Sequence, residues 1–296
     1  MKRALLVGAV LALAGCGGGS ADPAAKAAAE PKRPQLPGGG RIIFAEPKRR
    51  IVAFYGNPQD PALGTLGIGS PASAARRLKA VAARYTTPER PVLPAMELLA
   101  SVANAAPGDD GQYRSHASNG MIRRYLRAAR SIGAILILDI QPGRAAFMPE
   151  AQRLERWLRE PDVSLALDPE WHVGPTELPG QVIGSVDAAE VTAVGTWLDQ
   201  LTQRADLPQK LLVIHQFTEG MVKRRELLHP YKSVAVVLNT DGFGTAPIKA
   251  AKYREFSKLV RFAFNGFKLF YEEDTGLMSP RRVLRLHPAP DMIVYE

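Results

Sequence analysis

Two carboxylates one residue apart, Asp168 and Glu170, close the run Ser164-Leu-Ala-Leu-Asp-Pro-Glu-Trp171. In an extended strand side chains alternate with period two, so Ser164, Ala166, Asp168 and Glu170 share one face and Leu165 and Leu167 take the other. Acids this close do not ionise independently. Their repulsion raises one pKa and leaves a carboxylic acid able to give up a proton near neutrality. Asp139 and Gln141, at the end of Ile135-Leu-Ile-Leu-Asp-Ile-Gln141, repeat the spacing. The chemistry this pattern implies is proton transfer by paired carboxylates.

Similar clusters end other apolar runs: Tyr55-Gly-Asn57, Glu97, Trp171-His172, His215-Gln216, Asn239-Thr-Asp241-Gly-Phe243, Tyr271-Glu272-Glu273-Asp274 and Tyr295-Glu296. Any one of them reads equally well as a helix cap or a solvated turn. Their recurrence is what points to a shared site. A metal centre is the competing arrangement, with His172, His215, Asp168, Asp139 and Asp241 as ligands, but no H-x-H, H-E-x-x-H or C-x-x-C occurs, so no metal and no other cofactor is expected. Serine-nucleophile catalysis lacks its G-x-S-x-G turn.

The elements that must position these residues alternate along the chain. Short β-rich runs span Ile51 to Tyr55, Val92 to Leu98, Ile135 to Ile140, Val163 to Leu167, Leu211 to His215, Val234 to Leu238, Phe267 to Tyr271 and Met292 to Tyr295. Between them, apolar residues at period 3.6 predict helices over Ala72 to Tyr85, Asn119 to Ile132, Pro149 to Arg159, Asp187 to Arg204, Pro247 to Phe264 and Pro280 to Arg285. Thr218 to Tyr231 is irregular. Continuously apolar strands alternating with amphipathic helices imply a parallel sheet covered on both faces, and eight repeats favour a closed (β/α)8 TIM-like barrel lacking its last helix, with an open doubly wound sheet as the fallback. Barrels of this kind gather their sites at the C-terminal ends of the strands. Neither a G-x-G-x-x-G nor a P-loop is present, so nucleotide sites are not indicated. Trp157 and Trp197 fall at apolar helical spacing and read as core, and Phe54, Phe217 and Phe270 read as packing.

The Asp168-Pro-Glu170 ending of the fourth strand resembles the final part of the signature of TIM-barrel chitinases and muramidases. That resemblance implies Glu170 as general acid and Asp168 as its supporting carboxylate. In the larger clan of retaining barrel glycosidases the partner carboxylate stands after the seventh strand, which here implies Glu272 or Glu273 as nucleophile or base. The chitinase S-x-G-G is absent, Ser164 and Ala166 replace the earlier acids, and no Asn precedes Glu170. On this reading Tyr55, Trp171, Phe243 and Tyr271 offer aromatic faces to sugar rings, while Glu97, Asp139, Gln141, His215, Gln216 and Asp241 contact the substrate.

The N-terminus supplies an address. Lys2 and Arg3 precede the apolar run Ala4 to Ala14, too short to span a bilayer, and Leu13-Ala14-Gly15-Cys16 looks like a bacterial lipobox. The expectation is a signal peptide over 1–15, lipidation of Cys16, a flexible tether over 16–45 and a barrel domain over 46–296, held on the extracytoplasmic face of the bacterial cell membrane by its acyl chains. Cys16 is the one cysteine, which excludes an intramolecular disulfide. The formal charge is +9, but residues 17–50 hold seven Lys or Arg against three Asp or Glu. Basicity concentrated there fits anionic head groups or wall polymers rather than nucleic acid. The partners expected are therefore the bilayer and a polysaccharide or peptidoglycan, with the protein a monomer. The functional expectation is a glycosidase-type hydrolase, with a non-catalytic glycan-binding lipoprotein and a metal-dependent hydrolase as alternatives.

Overall fold

A computed structural model describes residues 33–45, 47–257 and 259–296, and Arg33–Glu296 form one compact unit. The expected signal peptide, Cys16 and the first part of the expected tether lie outside the described residues.

Eight parallel strands close on themselves: β1 (Arg50–Gly56), β2 (Val92–Ala103), β3 (Ile135–Ile140), β4 (Val163–Leu167), β5 (Lys210–Gln216), β6 (Val234–Thr240), β7 (Phe264–Leu269) and β8 (Met292–Tyr295). Closure is explicit in the register. Ile51 to Phe54 of β1 pair with Met292 to Tyr295 of β8, and Arg50 to Gly56 pair on the other side with Val92 to Leu98 of β2. The fold is a TIM-like barrel, as the alternation of elements predicts. A short antiparallel strand, Arg114–His116, extends β2, and a two-strand parallel pair, Val186–Asp187 with Val222–Lys223, joins two loops.

Each strand is buried on both faces. The outward residues of β1 to β5, among them Val52, Phe54, Leu136, Leu138, Leu165, Leu167, Leu212 and Ile214, pack under the helices; the inward ones, including Ile51, Ala53, Ile135, Ile137, Ala166 and Val213, fill the interior. Full burial of an aliphatic side chain of this size is worth about 1.5–3 kcal/mol. The helical layer comprises α1 (Pro71–Ala83), α2 (Asn119–Ser131), α3 (Phe147–Arg153), α4 (Glu155–Leu158), α5 (Ala188–Arg204), α6 (Ala246–Phe256) and α7 (Pro280–Val283). Polar caps start three of them: Ser70, Ser118 and Asp187 accept from the N–H groups of Ser73, Met121 and Ala189. Gly133, at φ +67°, takes the left-handed turn that ends α2 and leads into β3. Between β5 and β6 the chain forms no α-helix, only two short 3-10 turns around the strand Val222–Lys223.

Three expectations change. The helix expected over Pro247 to Phe264 ends at Phe256, and β7 begins at Phe264 rather than Phe267, because Phe264 to Phe267 pair with Val237 to Thr240. Tyr271 and Glu272 therefore lie past the strand, in a loop. The helix expected over Pro149 to Arg159 starts at Phe147 and is interrupted at Leu154.

The third change is at the N-terminus, where the fold reaches back past residue 46. Leu36, Ile43 and Phe44 are buried; Ile43 N–H donates to Gln209 Oε1, Gln209 N–H donates to Arg41 O, and the Phe44 ring stacks on Phe264 at 4.0 Å. Gln209 and Phe264 sit at strand starts, so this segment covers the closed, N-terminal end of the barrel. The apolar ring at that end, Ile51, Leu93, Ile135, Leu211 and Met292, otherwise faces water.

Candidate active site

Alternation along eight strands carries one polar side chain per strand into the upper interior: Tyr55, Glu97, Asp139, Asp168, His215, Asn239, Lys268 and Glu296. Those of β1 to β7 are almost wholly buried. Hydrogen bonds link them across the barrel. His215 Nδ1 lies 2.8 Å from Asp241 Oδ2 and its Nε2 lies 3.0 Å from Glu97 Oε1. Asn239 donates to the other oxygen of Asp241. Lys268 Nζ sits 3.3 Å from Asp241 Oδ2 and 2.6 Å from Glu296 Oε2, and rests 3.6 Å from the centre of the Tyr55 ring. Gln141 donates to the Tyr55 hydroxyl at 3.1 Å, which in turn donates to Asp168 Oδ2 at 3.4 Å. Gly266 makes room for this lattice: a Cβ there would come within 2.3 Å of Asn239 Oδ1.

The charges do not balance. Six carboxyls, Glu97, Asp139, Asp168, Glu170, Asp241 and Glu296, share two cations, His215 and Lys268. Protons must make up part of the difference, and the geometry decides where they sit. Burial opposes the charge on His215, but Asp241 and Glu97 outweigh it and raise its pKa, so the ring donates from both nitrogens as an imidazolium. Burial likewise works against Asp241, yet His215 and Lys268 hold its carboxyl below the ordinary value. Asp139 receives only the Ile140 N–H on one oxygen; burial pushes it up to about 6. Burial and the neighbouring Glu170 raise Asp168 well above its ordinary value. Glu170 is pushed up to about 7, chiefly by burial, with Asp241 adding to the rise and Lys268 opposing it.

Above this floor opens a cleft of ≈ 470 Å³. Of the residues expected to form the site, Tyr55, Gln141, Glu170, Trp171, Asp241 and Phe243 line it. Asp168 lies just beneath, and Glu97, Asp139, His215 and Gln216 lie deeper, supporting the wall rather than forming it. Tyr271 and Glu272 are exposed and line a neighbouring cleft beside α1, where Tyr271 stacks on Tyr295; Glu272 is thus displaced from the barrel mouth, a correction that follows from the three-residue shift of β7. Of that acidic run Glu273 lines both clefts and Asp274 turns inward. Asp274 pairs with Lys249 at 2.8 Å and accepts from Gly244 N–H and Phe270 N–H, tying together the loops after β6 and β7. His172 stays outside the barrel, with Nδ1 2.8 Å from Ser185 O, so the alternative metal ligands do not converge. Among the described residues no group of three or more His, Cys, Asp or Glu is arranged to hold a metal ion.

No protein-family model and no curated protein matches the sequence. Among solved structures, the Clostridial cellulose synthase subunit Z of Clostridioides difficile is similar with a TM-score of 0.44 and 8% identity, over 84% of this chain and 91% of that one. The Bacteroides ovatus GH5 xyloglucanase, in complex with a XXXG heptasaccharide, gives a TM-score of 0.33 and 11% identity over 78% of this chain and 63% of that one.

Sequence reasoning missed Lys268, Lys252, Phe217, Phe270 and Glu296 as cleft residues, whereas Glu273, expected as the alternative to Glu272, lines the cleft. Phe217 and Phe270, expected as packing, form part of the wall, with Lys252 Nζ 5.5 Å from the Phe217 ring and Lys268 Nζ 5.2 Å from the Phe270 ring. Lys268 shares the period-two face of Gly266 and Phe270, which becomes evident only once β7 is placed in register.

Proposed function

We propose that the protein is a glycoside hydrolase acting on a cell-wall or extracellular polysaccharide by carboxylate acid/base chemistry, anchored outside the membrane through a lipid on Cys16. One observation carries the catalytic part. Two carboxyls in the wall of one cleft are driven in opposite directions, Glu170 up to about 7 and Asp241 below its ordinary value. Paired acids split in this way can divide the work of protonating a leaving oxygen and stabilising or activating what attacks. Glu170 is the proton donor in this reading. No hydrogen bond from the described residues reaches its carboxyl, which leaves that group free for substrate. Asp241, held ionised by His215, Asn239 and Lys268, is the base or charge-stabilising partner that Glu272 cannot be from its loop. Trp171, Phe243 and Phe270 supply apolar faces for pyranose rings.

Replacing the acid tests this reading. Glu170→Gln keeps size and polarity but removes the transferable proton, and turnover on a polysaccharide panel falls by ~10²–10⁴-fold while the protein stays folded, with thermal stability near neutral pH at or above that of the wild type. Equal turnover in the two proteins would remove Glu170 as the acid.

A second reading, a glycan-binding protein without turnover, is favoured by one feature: Asp241 is already engaged by three partners, which limits its freedom as a nucleophile. Binding by both wild type and Glu170→Gln, with no new reducing ends from either, would decide for it.

A further inference from the structure

A second cleft lies away from the barrel axis. It encloses ≈ 850 Å³ between the loops that follow β2, β3, β4 and β5. A small hollow of ≈ 270 Å³ lies between it and the cleft at the mouth: Ile183 lines both the large cleft and the hollow, and Glu170 and Trp171 line both the hollow and the mouth cleft. A row of adjoining clefts therefore leads from the barrel mouth past Trp171 and out across the β4 loop.

The two ends of that row differ in charge. The mouth is rich in acids, whereas the outer cleft is lined by Arg144, Lys223 and His172 against one carboxylate, Glu177. Glu177 is occupied, accepting the Gly174 N–H at 2.7 Å. Arg144 is fixed rather than free: its Nε donates to Glu177 O at 2.8 Å and its guanidinium lies 4.1 Å over the Tyr113 ring. Among the described residues neither Arg144 nor Lys223 takes part in an ion pair, although the adjacent Arg224 is fully paired with Asp187. His172 must donate from Nδ1 to the Ser185 carbonyl, which leaves Nε2 directed elsewhere. An anchored arginine and a second cation outside any described ion pair, in a concave site near a sugar cleft, are what an anionic substituent needs.

We propose that this outer cleft is a distal subsite that receives an anionic group, carboxylate or phosphate, carried by the polymer whose bond lies at Glu170. The inference rests on the reading of the mouth as a glycan site and adds to it a substrate class: an acidic polysaccharide long enough to reach across the β4 loop, engaged along its length rather than at an end.

The test is calorimetric binding of the full chain to neutral cello-oligosaccharides, oligogalacturonides and phosphorylated oligosaccharides, each short and long, at low and high salt. Long acidic oligomers bind roughly tenfold more tightly than neutral ones of equal length at low salt, and the advantage shrinks as salt screens it. Preference between carboxylate and phosphate identifies the group. Lys223→Ala and Arg144→Ala each remove part of the advantage, and Arg144→Lys, which keeps the charge and a donor, restores part of what Arg144→Ala loses. An advantage that survives in the Arg144→Ala/Lys223→Ala protein, or its absence in the wild type, overturns the proposal. Loss of affinity for neutral and acidic oligomers alike overturns it too, by assigning these residues a structural role. The two readings fail separately. Acidic oligomers bound through Arg144 but never cleaved leave the subsite standing without the hydrolase, and cleavage indifferent to charge leaves the hydrolase without the subsite.

Discussion

Lys268 is the residue on which the charge pattern of the mouth turns. It neutralises Asp241 and Glu296 together, shields the Tyr55 ring, and lowers the proton affinity of Glu170. Removing one member of a buried charge network leaves its partners unpaired, so Lys268→Met is expected to cost about 3–5 kcal/mol, measured by urea denaturation. The same substitution removes a cation from the field of Glu170. Its pKa then rises further, and the alkaline limb of the activity profile moves to higher pH than in the wild type. A limb that stays put while stability falls would mean that Lys268 acts only on the fold. The sequence made Asp168 and Glu170 legible because strand periodicity is local. It left Lys268 hidden, since a lone lysine in Phe264-Asn-Gly-Phe-Lys-Leu269 carries no local signal and gains meaning only from Asp241 and Glu296, contributed by other strands.

At the scale of elements, the register of β7 decides which side chains reach the mouth. Phe262, Ala263 and Phe264 continue the apolar spacing of α6, so a helical period runs on in the sequence after the backbone has turned; the pairing of Phe264 with Val237 settles where the strand starts. That offset moved Glu272 into an exposed loop and brought Lys268 and Phe270 inward. β1 to β6 and β8, most of whose ends are marked by Gly, Asn or Asp, were legible within about five residues. Gly266 is where β7 and β6 come closest, and Gly266→Ala is expected to push Asn239 off Asp241, destabilising the protein by about 1–3 kcal/mol and lowering turnover together. Wild-type turnover in that variant would separate Asn239 from the chemistry. At the other end, Phe44→Ala removes the ring stacked on Phe264 and is expected to cost about 3 kcal/mol in urea. The composition of 33–45, rich in Pro and Gly, hid this role, because three apolar residues suffice when the surface they cover is already assembled.

For the whole molecule, a barrel that stores protons in its core has a stability that depends on pH in a defined sense. Asp139 and Glu170 bind their protons more tightly folded than unfolded, at about 6 and about 7 against ordinary values of 3.8 and 4.5. The stability this contributes is complete below the ordinary values and is lost as pH rises through 6 and then 7. Asp241 acts in the opposite sense, stabilising above its unfolded pKa and losing that contribution as pH falls, and so does Glu150, which burial opposes but which His116, Ser101 and Arg114 draw down to about 2. The melting temperature is expected to peak near the ordinary carboxylate values and to decline from there up to about pH 7, where Glu170 ionises in the folded protein. Asp139→Asn combined with Glu170→Gln should flatten that decline; a slope identical to wild type would place the responsible groups elsewhere.

The backbone from Arg33 to Phe44 lies against the sealed end of the barrel, while every cleft that surrounds Glu170 opens at the far end. Whatever precedes Arg33 is thus joined to the underside. The chain enters the barrel at its underside, and the clefts around Glu170 stay clear of the point of attachment, as the edge of a tool stays clear of its handle.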